Sequence, residues 1–252
     1  PGIVLLLLYI VVAWVLAGTN GDTGTATRYT LVQRLRALIA PWHFLILFIA
    51  TIGGIYLGVF TPVEAAGVGA FLTFVMALYR RSLDWSKLRF VFLQTLQTSA
   101  TVFMILIGAF VFIPFMALTQ VPSNIVFFLV NLDVGPLGVL IIILTTYIAL
   151  GTFLEGLAML VLTLHIVFPV IIELGLDPIW FGVVVVIVLE MGLISPPVGV
   201  NVFVVKSVAK DVPMGTIFRG IWPFWLAMGV CLAFLVAFPQ IALFLPNTMF
   251  GS

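Results

Sequence analysis

A single cysteine, Cys231, occurs in 252 residues. That excludes an intramolecular disulfide and any cysteine-only metal cluster, and the apolar neighbours of Cys231 read as packing. Charge is almost as scarce. Asp, Glu, Lys and Arg make up 8% of the chain, against about a quarter in soluble domains. A formal net charge of +1 supplies no basic surface for nucleic acid. The chain has no GxxxxGK[ST] phosphate loop, so nothing in it would cradle ATP. It has no His/Cys/Asp/Glu cluster at metalloenzyme spacing and no arguable Ser–His–acid set, so no enzyme is expected and no cofactor. The strict alternation of a membrane β-barrel is missing as well.

What is present is apolar. Hydrophobic residues are 63% of the chain, with 23 phenylalanines. Runs such as "IVLLLLYIVVAWVLAG" (3–18) and "PFWLAMGVCLAFLVAFPQIALFL" (223–245) are long enough to cross a bilayer core. The first run lacks the basic lead-in and small-residue cleavage site of a signal peptide and reads as a span. The expected fold class is therefore an all-α polytopic membrane protein. All ten Lys and Arg fall in three segments: 19–36 with Arg28, Arg34 and Arg36; 80–89 with Arg80, Arg81, Lys87 and Arg89; and 206–219 with Lys206, Lys210 and Arg219. The positive-inside rule places these in the cytoplasm. Spans are then expected at 3–18, 37–58, 63–79 and 94–118, with an outer interfacial helix over 121–135, which is too short to cross and carries Asn124, Asn131 and Asp133.

Two interruptions stand out. Residues 137–172 are too long for one span, since about 54 Å of helix would face a core of about 30 Å. Both flanks lack basic residues, and the middle reads "ALGTFLEGLAM" with Gly151, Thr152, Glu155 and Gly156. This predicts a re-entrant helical hairpin with its tip near 151–156. Two ordinary tilted spans joined by a short polar loop are the alternative. The second interruption is "LISPPVGVNVFVV" (193–205), predicting a discontinuous helix: half-helices at 179–194 and 200–209 around a break at 195–199. A last span follows at 221–245, with Pro223 and Pro239 marking its ends or a kink.

Open backbone in lipid leaves N–H and C=O groups unpaired, each costing several kcal/mol. It survives where it is buried in protein or lines a polar cavity. Paired interruptions are the sequence pattern of a binding site near the midplane of a secondary transporter. Pro196 and Pro197 remove two donors and keep the break open. Gly199 permits close approach, and Ser195 and Asn201 carry side-chain oxygens. Freed carbonyls and the hydroxyls of Thr152 and Ser195 suit a hard cation such as Na⁺, expected at Gly151, Thr152, Ser195 and Pro196. A packing kink is the plainer alternative.

These motifs resemble a known family. "GGIYLGVFTPVEAAGVGAF" (53–71), containing Thr61, Pro62 and Glu64, the stretch 150–184, and "GLISPPVGVNVFV" (192–204) are similar to segments of the large membrane subunits of tripartite ATP-independent periplasmic (TRAP) transporters. Ser195 stands where that family usually has Thr. The resemblance implies one inverted repeat of an elevator-type ion transporter fold. It further implies a permease subunit of a Na⁺-coupled importer of small organic acids, dicarboxylates or sialic-acid-like. The implied partners are a small membrane subunit and a periplasmic solute-binding protein, and the implied location is the inner membrane of a bacterium or archaeon. The family's subunit is nearly twice as long, so the chain is expected to be a fragment. The expected organisation is scaffold-type spans and the interfacial helix in 1–136, a transport-type unit in 137–220, and a C-terminal span in 221–252. An ion channel and a non-transporting scaffold subunit are the alternatives.

Of the remaining polar residues, Glu64 is expected to cap or pair at a helix start. Glu155 belongs to the hairpin tip, and Glu190 pairs within the protein or faces a cavity. His165 is expected to pack as a neutral, hydrogen-bonded residue and His43 to lie near an interface. Trp14, Trp85, Trp180, Trp222 and Trp225 are candidate interface anchors.

Overall fold

The computed structural model describes residues 1–19, 30, 32–33, 41–132 and 134–250. Arg28, Arg34, Arg36 and Asp133 lie outside the described residues. Every regular element among the described residues is a helix: α1 (Gly2–Thr19), α2 (Trp42–Tyr56), α3 (Pro62–Tyr79), α4 (Trp85–Leu118), α5 (Val121–Val130), α6 (Gly135–Gly151), α7 (Gly156–Glu173), α8 (Pro178–Leu193), α9 (Val200–Val208), α10 (Met214–Ala237) and α11 (Gln240–Phe250). Among these, α3, α4, α7 and α10 are long and apolar enough to cross a membrane by length and composition, and α1, α2, α6 and α8 are shorter apolar helices. The protein is a multi-pass helical membrane protein.

The interruptions fall where the sequence puts them. The chain leaves helix after Gly151 and re-enters at Gly156, then leaves after Leu193 and re-enters at Val200. The C-terminal region departs from expectation. Its helix begins at Met214, behind Pro213 at the cap, rather than at 221, and it stops at Ala237. Pro223 sits inside it. Pro239 follows its end, and α11 starts at Gln240. The basic residue Arg219 is therefore helical, not part of a loop.

The chain divides into two compact units, Thr23–Thr101 and the combination of Pro1–Asp22 with Val102–Ser252. In the first, α2 and α3 pack closely. A methyl on Gly69 would come within 3.0 Å of the Thr51 side chain, and one on Gly54 would strike the Phe60 ring. Thr61 caps α3 with a full capping box. Its N–H donates to Glu64 Oε2 at 2.8 Å, and the Glu64 N–H returns to Thr61 Oγ1 at 3.3 Å. The backbone N–H of Lys87 donates to Asp84 at 2.8 Å and holds the Asp84 carboxyl below the usual carboxylate range.

In the second unit α8 is the central element. Trp180, Phe181, Val184, Val185 and Val188 share one broad face of it, and all are buried, while Val186 and Glu190 on the opposite side are exposed. A wide apolar face needs several neighbours to cover it, which α6, α7, α10 and α11 provide. Lipid tails compete for apolar side chains, so packing and interhelical hydrogen bonds hold such a bundle, the latter at about 0.6 kcal/mol each on average. Two such bonds stand out. Trp180 Nε1 donates to Leu235 O at 2.8 Å, tying α8 to α10. Thr163 Oγ1 lies 2.7 Å from both Tyr147 Oη and Met159 O. A hydroxyl has one proton and a carbonyl only accepts, so Thr163 donates to Met159 and Tyr147 donates to Thr163. That bond joins α6 to α7. Trp180 is only 3% exposed, so it is a core residue and not the interface anchor expected from sequence.

Candidate ion and substrate site at the two helix breaks

The tip between α6 and α7 is shaped by local hydrogen bonds. Phe153 and Leu154 N–H groups return to Leu150 O at 3.0 and 2.9 Å, closing the end of α6. Glu155 adopts extended backbone and accepts from Ala158 N–H at 3.0 Å, so it N-caps α7 and its charge complements the helix start. Thr152 is 5% exposed and its hydroxyl donates to Ala149 O at 2.8 Å. Among the described residues, no backbone hydrogen bond outside the helices ends on the carbonyls of Gly151, Thr152 or Phe153.

The second break follows α8. Ser195 N–H bonds Gly192 O at 3.0 Å. Ser195 is buried at 5% exposure, and its hydroxyl donates to Met191 O at 2.6 Å while accepting from Trp225 Nε1 at 2.8 Å. Pro196 and Pro197, joined by a cis peptide bond, are exposed. Gly199 takes φ +58, where a Cβ would also meet Ser195 O at 3.0 Å. Only glycine fits both requirements. It starts α9, whose Val202 N–H returns to Gly199 O at 2.8 Å. Among the described residues, no backbone hydrogen bond outside the helices ends on the carbonyls of Ser195, Pro196 or Pro197.

The two breaks are brought together by a glycine pair. A Cβ on Gly192 would lie 2.7 Å from Gly151 Cα, and one on Gly151 would lie 3.1 Å from Gly192 Cα. Backbone therefore touches backbone where α6 and α8 end, and Thr152 and Ser195 follow within one and three residues of that contact. Of the residues expected at the site, Gly151, Thr152, Ser195 and Gly199 are buried, Gly156 is half-buried, and Glu155, Pro196, Pro197 and Asn201 are exposed. Thr61, Pro62 and Glu64 belong to the other unit. Glu190, two residues before Gly192 on α8, lines a groove with Leu5, Val186 and Met228 that includes no residue of either break. His165 is exposed, not packed, and one ring nitrogen lies 3.1 Å from Val161 O of its own helix. Cys231 is fully buried, as a packing residue should be. Sequence reasoning missed Gly192 and assigned Trp225 to an interface. A glycine three residues before a Ser-Pro-Pro break was the available signal for the first; nothing local marks the second.

A multi-pass helical protein with two abutting helix interruptions belongs, by architecture, with membrane carriers. Comparison with known proteins makes this specific. Residues 1–241 match the family described as tripartite ATP-independent periplasmic transporter, DctM component, and the chain belongs to that family, whose members are transporter components rather than enzymes. It is 32% identical over 248 residues to a C4-dicarboxylate TRAP transporter large permease protein of Pseudomonas aeruginosa, covering 98% of this chain and 58% of the relative. It is 30% identical over 252 residues to a sialic acid TRAP transporter large permease protein of Vibrio cholerae, covering 100% of this chain and 58% of the relative. An ectoine/5-hydroxyectoine TRAP transporter large permease protein of Ruegeria pomeroyi is 31% identical over 256 residues, covering 100% of this chain and 58% of the relative. The chain thus spans a little over half the length of these relatives.

Proposed function

We propose that this chain supplies the ion-binding part of the permease of a Na⁺-coupled secondary transporter. The permease imports small organic acids handed over by a periplasmic solute-binding protein, with a small membrane subunit beside it, in the inner membrane of a bacterium or archaeon. The observation that carries this reading is the Gly151–Gly192 contact. It sets two open stretches of backbone side by side, and unpaired carbonyls at membrane depth are stable where they ligate something. The donors are all oxygen, which suits Na⁺: main-chain carbonyls at Gly151, Thr152, Ser195 and Pro196, with the Thr152 and Ser195 hydroxyls. Gly156, Gly199 and Asn201 complete the two breaks. The cargoes for which the relatives are named, C4-dicarboxylate and sialic acid among them, support an organic acid.

In this reading α6 and α7 form a re-entrant hairpin and α8–α9 a discontinuous span, together the transport-type unit over 137–220. Residues 1–136 are scaffold-type spans with α5 as the interfacial helix, and 221–252 hold the C-terminal span. Length alone does not favour re-entry, because α7 has 18 residues, about 27 Å at 1.5 Å each. Charge does not separate the two either, because a re-entrant hairpin and a pair of full crossings both return the chain to the side it left; what charge argues against is a single crossing. Glu173 and Asp177 flank the outer side without a basic residue, whereas Lys206, Lys210 and Arg219 follow the break, and one crossing over 137–172 would carry those cations outside, against the positive-inside rule.

The test is uptake of a C4-dicarboxylate and of sialic acid by the full-length permease and its partners in proteoliposomes. An inward Na⁺ gradient should drive accumulation of a cargo, and an equal K⁺ gradient should not. Equal uptake under both gradients would refute Na⁺ coupling.

A further inference from the structure

We infer that Trp225 is a positioning residue that orients the Ser195 hydroxyl towards the break, acting on ion binding through Ser195 without touching the ion. This deepens the transporter reading above and rests on it.

The argument begins with the end of α8. In a continuing helix the N–H of Ser195 would bond the carbonyl four residues back, at Met191. Here that N–H has slipped to Gly192 O at 3.0 Å. Met191 O is left among the orphan carbonyls of a helix end, and the Ser195 hydroxyl takes the place of the lost donor at 2.6 Å. A serine hydroxyl is free to rotate and could point its proton elsewhere. Trp225 removes that freedom. An indole N–H only donates, so at 2.8 Å from Ser195 Oγ it must occupy an oxygen lone pair. The proton stays on Met191 O, and the second lone pair remains for the break.

The orientation matters for a cation. A hydroxyl that turns its proton towards Na⁺ repels it, whereas one with its proton pinned behind offers a lone pair ready to bind. The site is preorganised in the sense that no rotation need be frozen on binding. Burial strengthens the effect, since at 5% exposure Ser195 has little water to turn to. The indole is itself held: Trp222 packs edge-on against it, with ring centroids 5.2 Å apart and planes at 70°. Both tryptophans line a narrow cleft with Ile194 and Pro196, so the donor sits against the break it orients.

The experiment is a double-variant cycle in the full-length permease, read as the Na⁺ concentration giving half-maximal uptake. Trp225→Phe keeps an aromatic ring and deletes the N–H. It should raise that concentration about three- to tenfold, the range of one net hydrogen bond, with maximal rate within about twofold. Ser195→Ala should raise it by at least as much. In the Ser195→Ala background, Trp225→Phe should add nothing further, because its target is gone; in a Ser195→Thr background it should act as in wild type. No change in the Na⁺ dependence of Trp225→Phe, or penalties that multiply in the double variant, would overturn the inference. If Trp225→Phe is not recovered folded, Ser195→Thr and Ser195→Ala carry the test, and equal effects of the two would overturn it. Wild-type uptake indifferent to Na⁺ would instead defeat the Na⁺-coupled reading on which this inference rests.

Discussion

Ser195 has one proton and two lone pairs, and two of these three are committed, to Met191 O and to Trp225 Nε1. Its hydroxyl therefore helps to finish α8 and keeps one lone pair uncommitted. The residue beside it that decides the geometry is Gly192. An alanine there would place its Cβ 2.7 Å from Gly151 Cα and 3.2 Å from Ile148 O, all main-chain atoms that cannot swing aside. We predict that Gly192→Ala destabilises the protein by about 1–3 kcal/mol, the usual range for overpacking, and lowers its thermal midpoint in detergent. Gly182→Ala, elsewhere on α8 with nothing within 4 Å of the added methyl, should be neutral or slightly stabilising, since alanine favours helix. Equal tolerance of both substitutions would show that the glycine contact is not tight in the folded protein. Gly192 was hard to see in the sequence because a lone glycine in an apolar helix has the same local signature whether it touches lipid or backbone. Trp225 was hidden for a similar reason: its partner lies 30 residues away, and an apolar ring near a membrane reads as an anchor. Trp180 illustrates the same limit, for only the fold reveals that its N–H meets Leu235 O.

The elements were far more legible than the contacts. Pro196 and Pro197 cannot donate, and Gly199 tolerates positive φ, so the break between Leu193 and Val200 follows from residue chemistry alone. The hairpin turn was legible from excess length and from Glu155, whose carboxylate proves to be a helix cap. The start of α10 was not, because Arg219 suggested a loop; a cation tolerates the last or first turn of a helix that projects beyond the apolar core. What the helices themselves leave open is the side on which each hairpin end emerges. Single cysteines introduced in a Cys231-free background resolve it. Cysteines replacing Ser82 and Ser207, both exposed, should react with an impermeant reagent from the cytoplasmic side only. One replacing Glu173, exposed at the end of α7, should react only from outside. Labelling of position 207 from outside would mean that α6 and α7 together cross only once, or that α8 and α9 do not cross, and either would contradict the assigned topology.

At the scale of the molecule, much of the surface is apolar, with exposed side chains such as Ile107, Phe110 and Val111 on one helix; lipid and partner subunits are the surroundings such a surface fits. The chain spans 58% of each of the three relatives described above, so transport is a property to measure in the full-length permease with its partners. The central claim is that the break after α8 exists to hold its carbonyls open for the coupling ion beside the hairpin tip. Its most direct test is organic-acid uptake against Na⁺ concentration for the double variant Pro196→Ala/Pro197→Ala. Restoring two N–H donors lets helix propagate through the break and withdraws those carbonyls. The account predicts that half-maximal uptake then requires at least about tenfold more Na⁺, equivalent to about 1.4 kcal/mol. A folded double variant that keeps the wild-type Na⁺ dependence would contradict it and reduce the break to a packing kink.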